Sequence, residues 1–133
     1  MSESKEKCRV LVVDDEVRLA DSMVGILTAG GYEAVAAYSA EAAMKHAERL
    51  SPDVVISDIV MGPVSGIELA NHLRERFPGC RILLMSGIAT RDDMGRQAAV
   101  RFLPKPISPE RLLEFVNDCR PAAAAQPAGL PGD

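Results

Sequence analysis

The chain lacks any long hydrophobic run, and this absence limits where the protein can reside. No stretch approaches the roughly 18 apolar residues that a membrane-spanning helix requires. The first seven residues, MSESKEK, are polar and contain no apolar core of the kind found in signal peptides. We therefore expect a cytoplasmic protein that makes no membrane contact.

Cysteine and excess positive charge are scarce as well. The three cysteines, Cys8, Cys80 and Cys119, are odd in number and too widely spaced for a metal-binding cluster. We expect reduced, mostly buried thiols in a cytosolic protein. The 15 Lys and Arg residues are outnumbered by 19 Asp and Glu residues. The formal net charge of −4 argues against a nucleic-acid binder, since no segment needs a basic face to explain it, and direct binding to nucleic acid is not expected.

Apolar runs alternate with helix-period segments along the 133 residues, of which 47% are hydrophobic. The runs at 10–13, 54–56 and 82–85 are continuously apolar, which is typical of strands covered on both faces. The weaker run at 33–37 indicates an edge strand, and 100–103 indicates a strand near the opposite edge. This alternation predicts one α/β domain with a parallel sheet.

Helical stripes of apolar residues fill the intervals between these runs. The glycine pair at 30–31 is expected to end the first helix in a left-handed turn. Ser39 is the predicted N-cap of the second helix, and Ser108 followed by Pro109 predicts the start of the last one. The interval 87–99 contains few large apolar residues and predicts at most a short helix.

Polar side chains follow four of the apolar runs, each where a strand is expected to end. Asp14 and Asp15 close the first run, Asp58 closes the third, Ser86 closes the fourth, and Lys105 follows the fifth. Because the carboxyl ends of parallel strands meet at one edge of a sheet, these groups are expected to share a cleft. Three carboxylates, a hydroxyl and an ammonium group predict a site for a divalent cation and a phosphoryl group.

Taken together, five motifs resemble the receiver domain of two-component response regulators. They are VVDDE at 12–16, DIVM at 58–61, Gly66 with Glu68 and Leu69, MSG at 85–87, and Lys105 with Pro106. The resemblance covers nearly the whole chain and implies a flavodoxin-like (βα)5 three-layer sandwich with strand order 2-1-3-4-5. We expect a receiver domain at 8–120, a disordered N-terminus at 1–7, and a flexible Pro/Ala/Gly tail at 121–133.

The resemblance also implies roles for the matching residues. Asp58 corresponds to the phosphoacceptor of the family. Asp15 corresponds to the direct Mg²⁺ ligand and Asp14 to the acid that holds the ion through water. The backbone carbonyl of Val60 would be a further ligand.

Three more residues match positions that bind the phosphoryl group or respond to it. Ser86 would donate to one phosphoryl oxygen and Lys105 would pair with another, while Phe102 stands where the family has an aromatic residue that changes rotamer. The implied function is a signalling switch, phosphorylated on Asp58 by a sensor histidine kinase or a histidine phosphotransfer protein. It would act on a downstream protein target and catalyse only its own phosphorylation and slow dephosphorylation; homodimerisation stays open.

The sequence departs from the family in the spacing around these motifs. Ser86 and Lys105 are 19 residues apart (105 − 86), roughly one helical turn fewer than usual. This predicts a shortened fourth helix between them and an altered signalling face. The loop after Asp58 also has Gly62 before Pro63, the reverse of the usual order, which moves the rigid φ by one residue.

Two apolar residues bear on how long the phosphoryl group would persist. Val60 lies two residues after Asp58, and Ile88 lies two residues after Ser86. Relatives that lose phosphate quickly tend to carry polar residues there, which orient the attacking water. We therefore predict a slowly hydrolysing phosphorylated form.

Several alternative functions share many of the same residues. A phosphorelay intermediate uses the same set, and a phosphorylation-independent pseudo-receiver would keep only the fold. A phosphatase of the haloacid dehalogenase type would need a second acid where this chain has Val60, and it usually carries a cap domain. The chain could also be a receiver separated from an effector domain, although a single-domain protein is the favoured interpretation.

Overall fold

The computed structural model describes residues 7–86 and 100–119. Within these ranges lie five strands and four helices. They are β1 (Arg9–Val13), α1 (Val17–Ala29), β2 (Glu33–Ala37), α2 (Ala40–Leu50), β3 (Val54–Asp58), α3 (Gly66–Arg76), β4 (Arg81–Ser86), β5 (Val100–Pro104) and α4 (Pro109–Asp118). The predicted flexible tail and shortened fourth helix lie outside the described residues, as does the predicted disordered N-terminus apart from Lys7. Our α4 is the helix that the sequence places fifth.

All five strands pair in parallel, in the order β2-β1-β3-β4-β5. This confirms the predicted flavodoxin-like order and places β2 and β5 at the two sides of the sheet. Val13 pairs with both Ala37 and Ser57, and Ser57 pairs with Leu84. Because the strands end in register, the loops that follow them emerge at one edge, which we call the carboxyl edge. The opposite edge, where the strands begin, is the amino edge.

Helices cover both faces of the sheet, which explains why the central strands are continuously apolar. Leu11 and Val55 point to the face covered by α2 and α3, where they join a buried cluster with Leu73. Val10 and Ile56 point to the other face, where they join a cluster with α1 and α4. Successive strand residues alternate between the two clusters, as the two-residue period of a strand requires. Each face therefore buries its own apolar layer, and the polar residues that end the strands stay at the edge.

Side chains and glycine fix the helix ends at most of the predicted places. The Ser39 hydroxyl accepts a hydrogen bond from the Ala42 amide at 3.0 Å, and the Ser108 hydroxyl accepts one from the Arg111 amide at 3.1 Å. Gly31 has φ +97°, which confirms a left-handed turn after α1. One helix N-cap was not predicted from the sequence: Ser65 and Glu68 form a reciprocal capping box at the start of α3. The spacing S-x-x-E at 65–68 is the signal that could have found it.

The three cysteines are buried thiols that are not joined in disulfides, as predicted. Burial, the largest cause, and the nearby Asp53 carboxylate together raise the pKa of Cys80 to about 12. The Cys80 thiol is therefore neutral over the physiological pH range. Among the helices of residues 7–86 and 100–119, none combines the length and the apolar character needed to cross a bilayer.

Candidate functional site

Three carboxylates gather at the carboxyl edge, where the sequence analysis expected them. Asp14 and Asp15 directly follow β1, and Asp58 is the last residue of the adjacent strand β3. One carboxylate oxygen from each of the three lies within 4.8 Å of the other two. The parallel topology causes this clustering, because β1 and β3 are neighbours and end at the same level of the sheet.

Lys105 supplies the positive charge of the site. It follows β5, and the peptide bond between Lys105 and Pro106 is cis. Its Nζ lies 3.3 Å from Asp14 Oδ2 and 3.3 Å from Asp58 Oδ2. The ammonium group therefore bridges two carboxylates that belong to different strands. With three carboxylates against one ammonium, the site keeps an excess of negative charge.

The two acids of the pair after β1 have different surroundings. Asp14 is only 1% exposed, and its two oxygens accept from two different donors. Oδ1 accepts from the Glu16 backbone amide at 2.9 Å, while Oδ2 accepts from Lys105 Nζ. Asp15 is exposed to solvent. Asp14 thus orients the chain as it enters α1, and Asp15 presents its carboxylate at the mouth of the cluster.

The pKa of Asp58 is raised, and burial is the largest cause because it disfavours the charged form. The Lys105 ammonium opposes this shift, and the Asp14 carboxylate adds to it. The Val60 backbone amide also donates a hydrogen bond to the Asp58 carboxylate, which lowers the pKa slightly. A second cation beside Asp58 would act in the same direction as Lys105.

The pKa of Lys105 is raised in turn, despite burial. Burial alone would lower the pKa of this ammonium group, but the charges of Asp14 and Asp58 together outweigh it. Lys105 is therefore a fixed positive charge at neutral pH. The ion pairs hold that charge directly beside the Asp58 carboxylate.

Of the remaining predicted site residues, some lie within the described ranges 7–86 and 100–119 and some lie outside them. The Val60 side chain is 64% exposed, next to the acidic cluster. Phe102 is partly buried on β5 and packs against the apolar cluster on the α2/α3 face, with Leu84 as its neighbour across the strands. Ser86 ends β4 and its backbone pairs with Pro104, but its side chain is not described. Ile88 lies outside the described residues.

A cavity beside the acidic cluster was not foreseen. It measures about 140 Å³ and lies between the turn after β2 and the loop after β3, with Asp15 and Val64 in its wall. The Tyr38 hydroxyl, which also borders it, donates to Asp21 Oδ1 at 2.6 Å and so ties this turn to α1. No spacing in the sequence links residues 21 and 38, because only the packing of α1 beside β2 brings them together.

Comparison with known proteins assigns the family. The protein-family model of the response regulator receiver domain matches residues 10–117 of this chain. The chain is 33% identical over 120 residues to the chemotaxis protein CheY of Thermotoga maritima, covering 82% of this chain and 94% of that protein. It is 36% identical over 111 residues to the response regulator protein FleR of Pseudomonas aeruginosa, covering 81% of this chain. It spans only 24% of FleR, about a quarter of that relative's length.

The solved structures agree with this assignment. The response regulator TrrA of Thermotoga maritima, crystallised in complex with Mg(2+)-BeF, superposes with a TM-score of 0.76 at 32% identity. The match covers 84% of this chain and 98% of TrrA. The chain thus belongs to the response regulator receiver domain family, whose members are signalling switches of two-component systems rather than classical enzymes.

Proposed function

We propose that this receiver domain is a phosphoacceptor switch in which Asp58 takes a phosphoryl group from a phosphohistidine. The donor would be a sensor histidine kinase or a histidine phosphotransfer protein. The observation that carries the proposal is the position of Lys105 Nζ, 3.3 Å from the carboxylates of both Asp58 and Asp14. A buried carboxylate with a fixed cation on one side and further acids on the other suits the capture of a phosphoryl group.

The donor set at this site suits Mg²⁺, a hard cation that prefers oxygen ligands and retains several waters. The three carboxylates lie close enough to share one ion. Asp15 would hold it directly, Asp14 through water, and Asp58 with the Val60 backbone carbonyl would complete the protein ligands. When bound, the ion would neutralise charge on the phosphoryl oxygens. The TrrA complex with Mg(2+)-BeF supports this choice of metal.

The transfer itself needs little covalent chemistry from the protein. An oxygen of the Asp58 carboxylate attacks phosphorus while the P–N bond to the donor imidazole breaks. The imidazole leaves with the bonding electron pair and takes a proton from solvent, and Asp58 becomes an acyl phosphate. Lys105 offsets the charge on one phosphoryl oxygen, and the Ser86 hydroxyl donates to another.

The surface around Asp58 favours a protein as the phosphoryl donor. Four large apolar side chains are exposed among the described residues, and all of them lie at the carboxyl edge. They are Val17, Tyr38, Val60 and Val64. Exposed apolar groups gathered around a charged site are typical of a surface that contacts another protein.

The proposed output is a change in shape at the surface that β5 and its neighbours form. An acyl phosphate adds about −1.5 to −2 charge at the end of β3. Ser86 would move toward the new group, and Phe102 would change rotamer into the space behind it. A downstream protein would bind the altered surface. Such a switch requires only that one of two conformations be favoured by a local contact.

The phosphorylated form is proposed to be long-lived, because Val60 and Ile88 offer no polar group to orient the attacking water. Phosphate loss would be followed by intact mass at neutral pH without a phosphatase. Loss within seconds would contradict this part of the proposal.

A relay role would use the same residues and would show as onward transfer from Asp58 to a histidine. A cytoplasmic location is proposed along with these partners.

The decisive experiment is intact mass after incubation with acetyl phosphate and Mg²⁺, comparing wild type with Asp58→Asn. We expect a metal-dependent gain of one phosphoryl group in wild type and none in the variant. Asp53→Asn is a matched control, because Asp53 immediately precedes the same strand at the amino edge, and this variant should keep the adduct. A wild-type chain that gains no phosphoryl group at saturating Mg²⁺ would favour a phosphorylation-independent binding module.

A further inference from the structure

The main chain of Asp58 is held by two neighbours to which the proposed chemistry gives no role. We propose that Ser57 and Gly66 are positioning residues that fix the Asp58 backbone and thereby aim its carboxylate. The inference rests on the proposed phosphorylation of Asp58. It concerns the side of Asp58 that faces away from Lys105 and the other acids.

Ser57 acts on the Asp58 carbonyl. It is 1% exposed, and it occupies a strand position between Val13 of β1 and Leu84 of β4. Its hydroxyl donates a hydrogen bond to the Asp58 carbonyl oxygen at 3.0 Å. The strand alternation places Ser57 on the α2/α3 face, so the Asp58 side chain points to the opposite face. A polar hydroxyl in an otherwise apolar strand is thus committed to the peptide unit of the phosphoacceptor.

Gly66 presses on the same carbonyl from α3. It is the first residue of this helix, and its amide donates to the Ile59 carbonyl at 2.8 Å. A methyl group at Gly66 would overlap the Asp58 carbonyl oxygen and lie 2.9 Å from Ile59 Cα. The φ of Gly66 is not positive, so the backbone conformation does not require glycine here. The close approach of α3 to the Asp58 main chain is what requires it.

The other side of this backbone is held by β4. The Ile59 amide donates to the Met85 carbonyl at 3.0 Å, which extends the β3–β4 ladder one residue past Asp58. The peptide that follows Asp58 is therefore fixed by β4 on one side and by Ser57 and Gly66 on the other. Constraining the peptide unit that follows Asp58 limits the movement of its Cα, and with it the carboxylate that Lys105 contacts.

Simple packing and positioning make different predictions. If Ser57 and Gly66 only fill space, substitutions would lower thermal stability and leave the chemistry of the folded protein unchanged. If they position Asp58, the rate constant at saturating donor falls even where the protein is fully folded, because misplacing a reacting group by about 1 Å costs up to roughly 100-fold. The concentration of donor at half-maximal rate would change little, because Ser57 and Gly66 do not contact the donor.

The test compares Gly66→Ala and Ser57→Ala with Gly25→Ala. Gly25 is an exposed glycine of α1 where an added methyl group meets nothing within 4 Å, so it controls for the substitution itself. Phosphorylation by phosphoramidate at saturating Mg²⁺ is followed by intact mass, well below each variant's melting midpoint. We expect the saturating rate constant to fall about 30-fold for Gly66→Ala and about 5-fold for Ser57→Ala, with that of Gly25→Ala within about twofold of wild type.

Two further readouts separate positioning from packing. Ser57→Thr keeps the hydroxyl and should restore the rate that Ser57→Ala loses. In amide NMR spectra, the signals of Ile59 and Gly66 should shift in Ser57→Ala and stay in place in Gly25→Ala.

The outcomes that would overturn the inference are distinct. Folded variants whose saturating rates stay within about twofold of wild type would refute the positioning role alone. A wild-type chain that gains no phosphoryl group would overturn the proposed function and this inference together. If Gly66→Ala does not fold, the Ser57→Ala and Ser57→Thr pair decides the question.

Discussion

The amino edge and the carboxyl edge of the sheet hold their carboxylates in different ways. At the amino edge, Asp53 Oδ2 accepts from the Arg9 backbone amide at 2.9 Å, and the Arg9 guanidinium in turn donates to the Leu50 carbonyl at 3.1 Å. The Asp53 carboxylate thus holds the backbone at Arg9, the first residue of β1. At the carboxyl edge, three carboxylates crowd around the ammonium group of Lys105.

Under the proposed function, this difference separates an edge arranged for structure from an edge arranged for chemistry. A carboxylate that accepts a hydrogen bond from a backbone amide contributes to stability, because the amide would otherwise lose its hydrogen-bond acceptor. Like charges held within a few ångströms repel one another and destabilise the fold until a cation joins them. Repulsion between the carboxylates of the carboxyl edge would therefore lower the stability of the fold, and a bound metal ion would relieve it. The amino edge, where the Asp53 carboxylate accepts a backbone hydrogen bond, needs no metal ion.

The largest expected effect concerns the low reactivity of Cys80, which immediately precedes β4 at the amino edge. With a pKa of about 12, the Cys80 thiol has a very small thiolate fraction at pH 8. Alkylation of Cys80 by iodoacetamide in the folded protein should be roughly a thousandfold slower than for an unperturbed thiol. Peptide mass spectrometry would quantify the labelling, and the same protein in urea is the control. Rapid labelling of Cys80 in the folded state would contradict the inert character of this edge.

The sign of the linked pH effect follows from the same pKa. The folded-state pKa of Cys80 lies above its unfolded value of about 9, so folding is favoured while the thiol keeps its proton. This contribution to stability is present below about pH 9 and is lost as the pH rises toward about 12. Urea melts of wild type and Cys80→Ala between these limits would measure it. Parallel curves for the two proteins would show that Cys80 does not carry the effect.

The next largest effect breaks the charge balance of the carboxyl edge. Lys105→Met removes the ammonium group that lies 3.3 Å from the Asp14 and Asp58 carboxylates. We expect phosphorylation by acetyl phosphate at saturating Mg²⁺ to slow about 100-fold, because a preorganised charge at the reacting group is lost. Lys45→Met, at an exposed position of α2, is the matched control and should react like wild type. Equal rates for both variants would remove Lys105 from the proposed chemistry.

A smaller effect should confirm the structural role of the amino edge. Asp53→Ala leaves the Arg9 amide without its carboxylate partner, and we expect the free energy of unfolding to fall by about 1–2 kcal/mol. Phosphorylation of the folded variant should be unchanged. Glu75→Ala, at an exposed position of α3, controls for the loss of one negative charge and should be nearly neutral. If the phosphorylation rate of Asp53→Ala fell with its stability, the two edges would not be independent.

The smallest effect tests whether a cation relieves the crowding of carboxylates. At ten times its dissociation constant, Mg²⁺ should raise the free energy of unfolding of wild type by about 1.4 kcal/mol. Asp15→Asn should lose this stabilisation, because it removes an exposed carboxylate of the cluster. Asp118→Asn, an exposed change at the end of α4, should keep it. Chemical melts with and without Mg²⁺ would measure the difference, and equal Mg²⁺ stabilisation in both variants would exclude Asp15 as a ligand.

Reasoning from the residue pattern predicted the parallel sheet and the residues that end its strands, and the family resemblance supplied the strand order. Asp14, Asp58 and Lys105 lie at one edge, as predicted, because each stands at or just beyond the end of an apolar run and parallel strands bring such positions together. Their roles in phosphorylation stay predictions. The residue pattern also located the caps at Ser39 and Ser108, since capping depends on a few adjacent residues. Leu69, Leu73 and Phe77 recur at helical spacing and predict a helix that includes Phe77, but α3 ends at Arg76 and Phe77 is its C-cap.

Two contacts that were not predicted depend on how two elements pack: the bond from Tyr38 to Asp21 and the contact of Gly66 with the Asp58 carbonyl. The bond of Ser57 to that carbonyl was not predicted either, and it lies within β3. Ser57 is a neighbour of Asp58 in sequence, but only the buried strand position commits its hydroxyl to the backbone.

The sequence by itself determined the α/β class, the order of elements and the polar groups at the carboxyl edge, because hydrophobic periodicity and residue chemistry are local properties. Only the tertiary structure decided which oxygen of Asp14 meets Lys105 and which meets the Glu16 amide. It also decided that α3 rests directly on the Asp58 main chain. These distances arise from the packing of helices on a twisted sheet, where the position of each atom depends on contacts with residues far away in the chain.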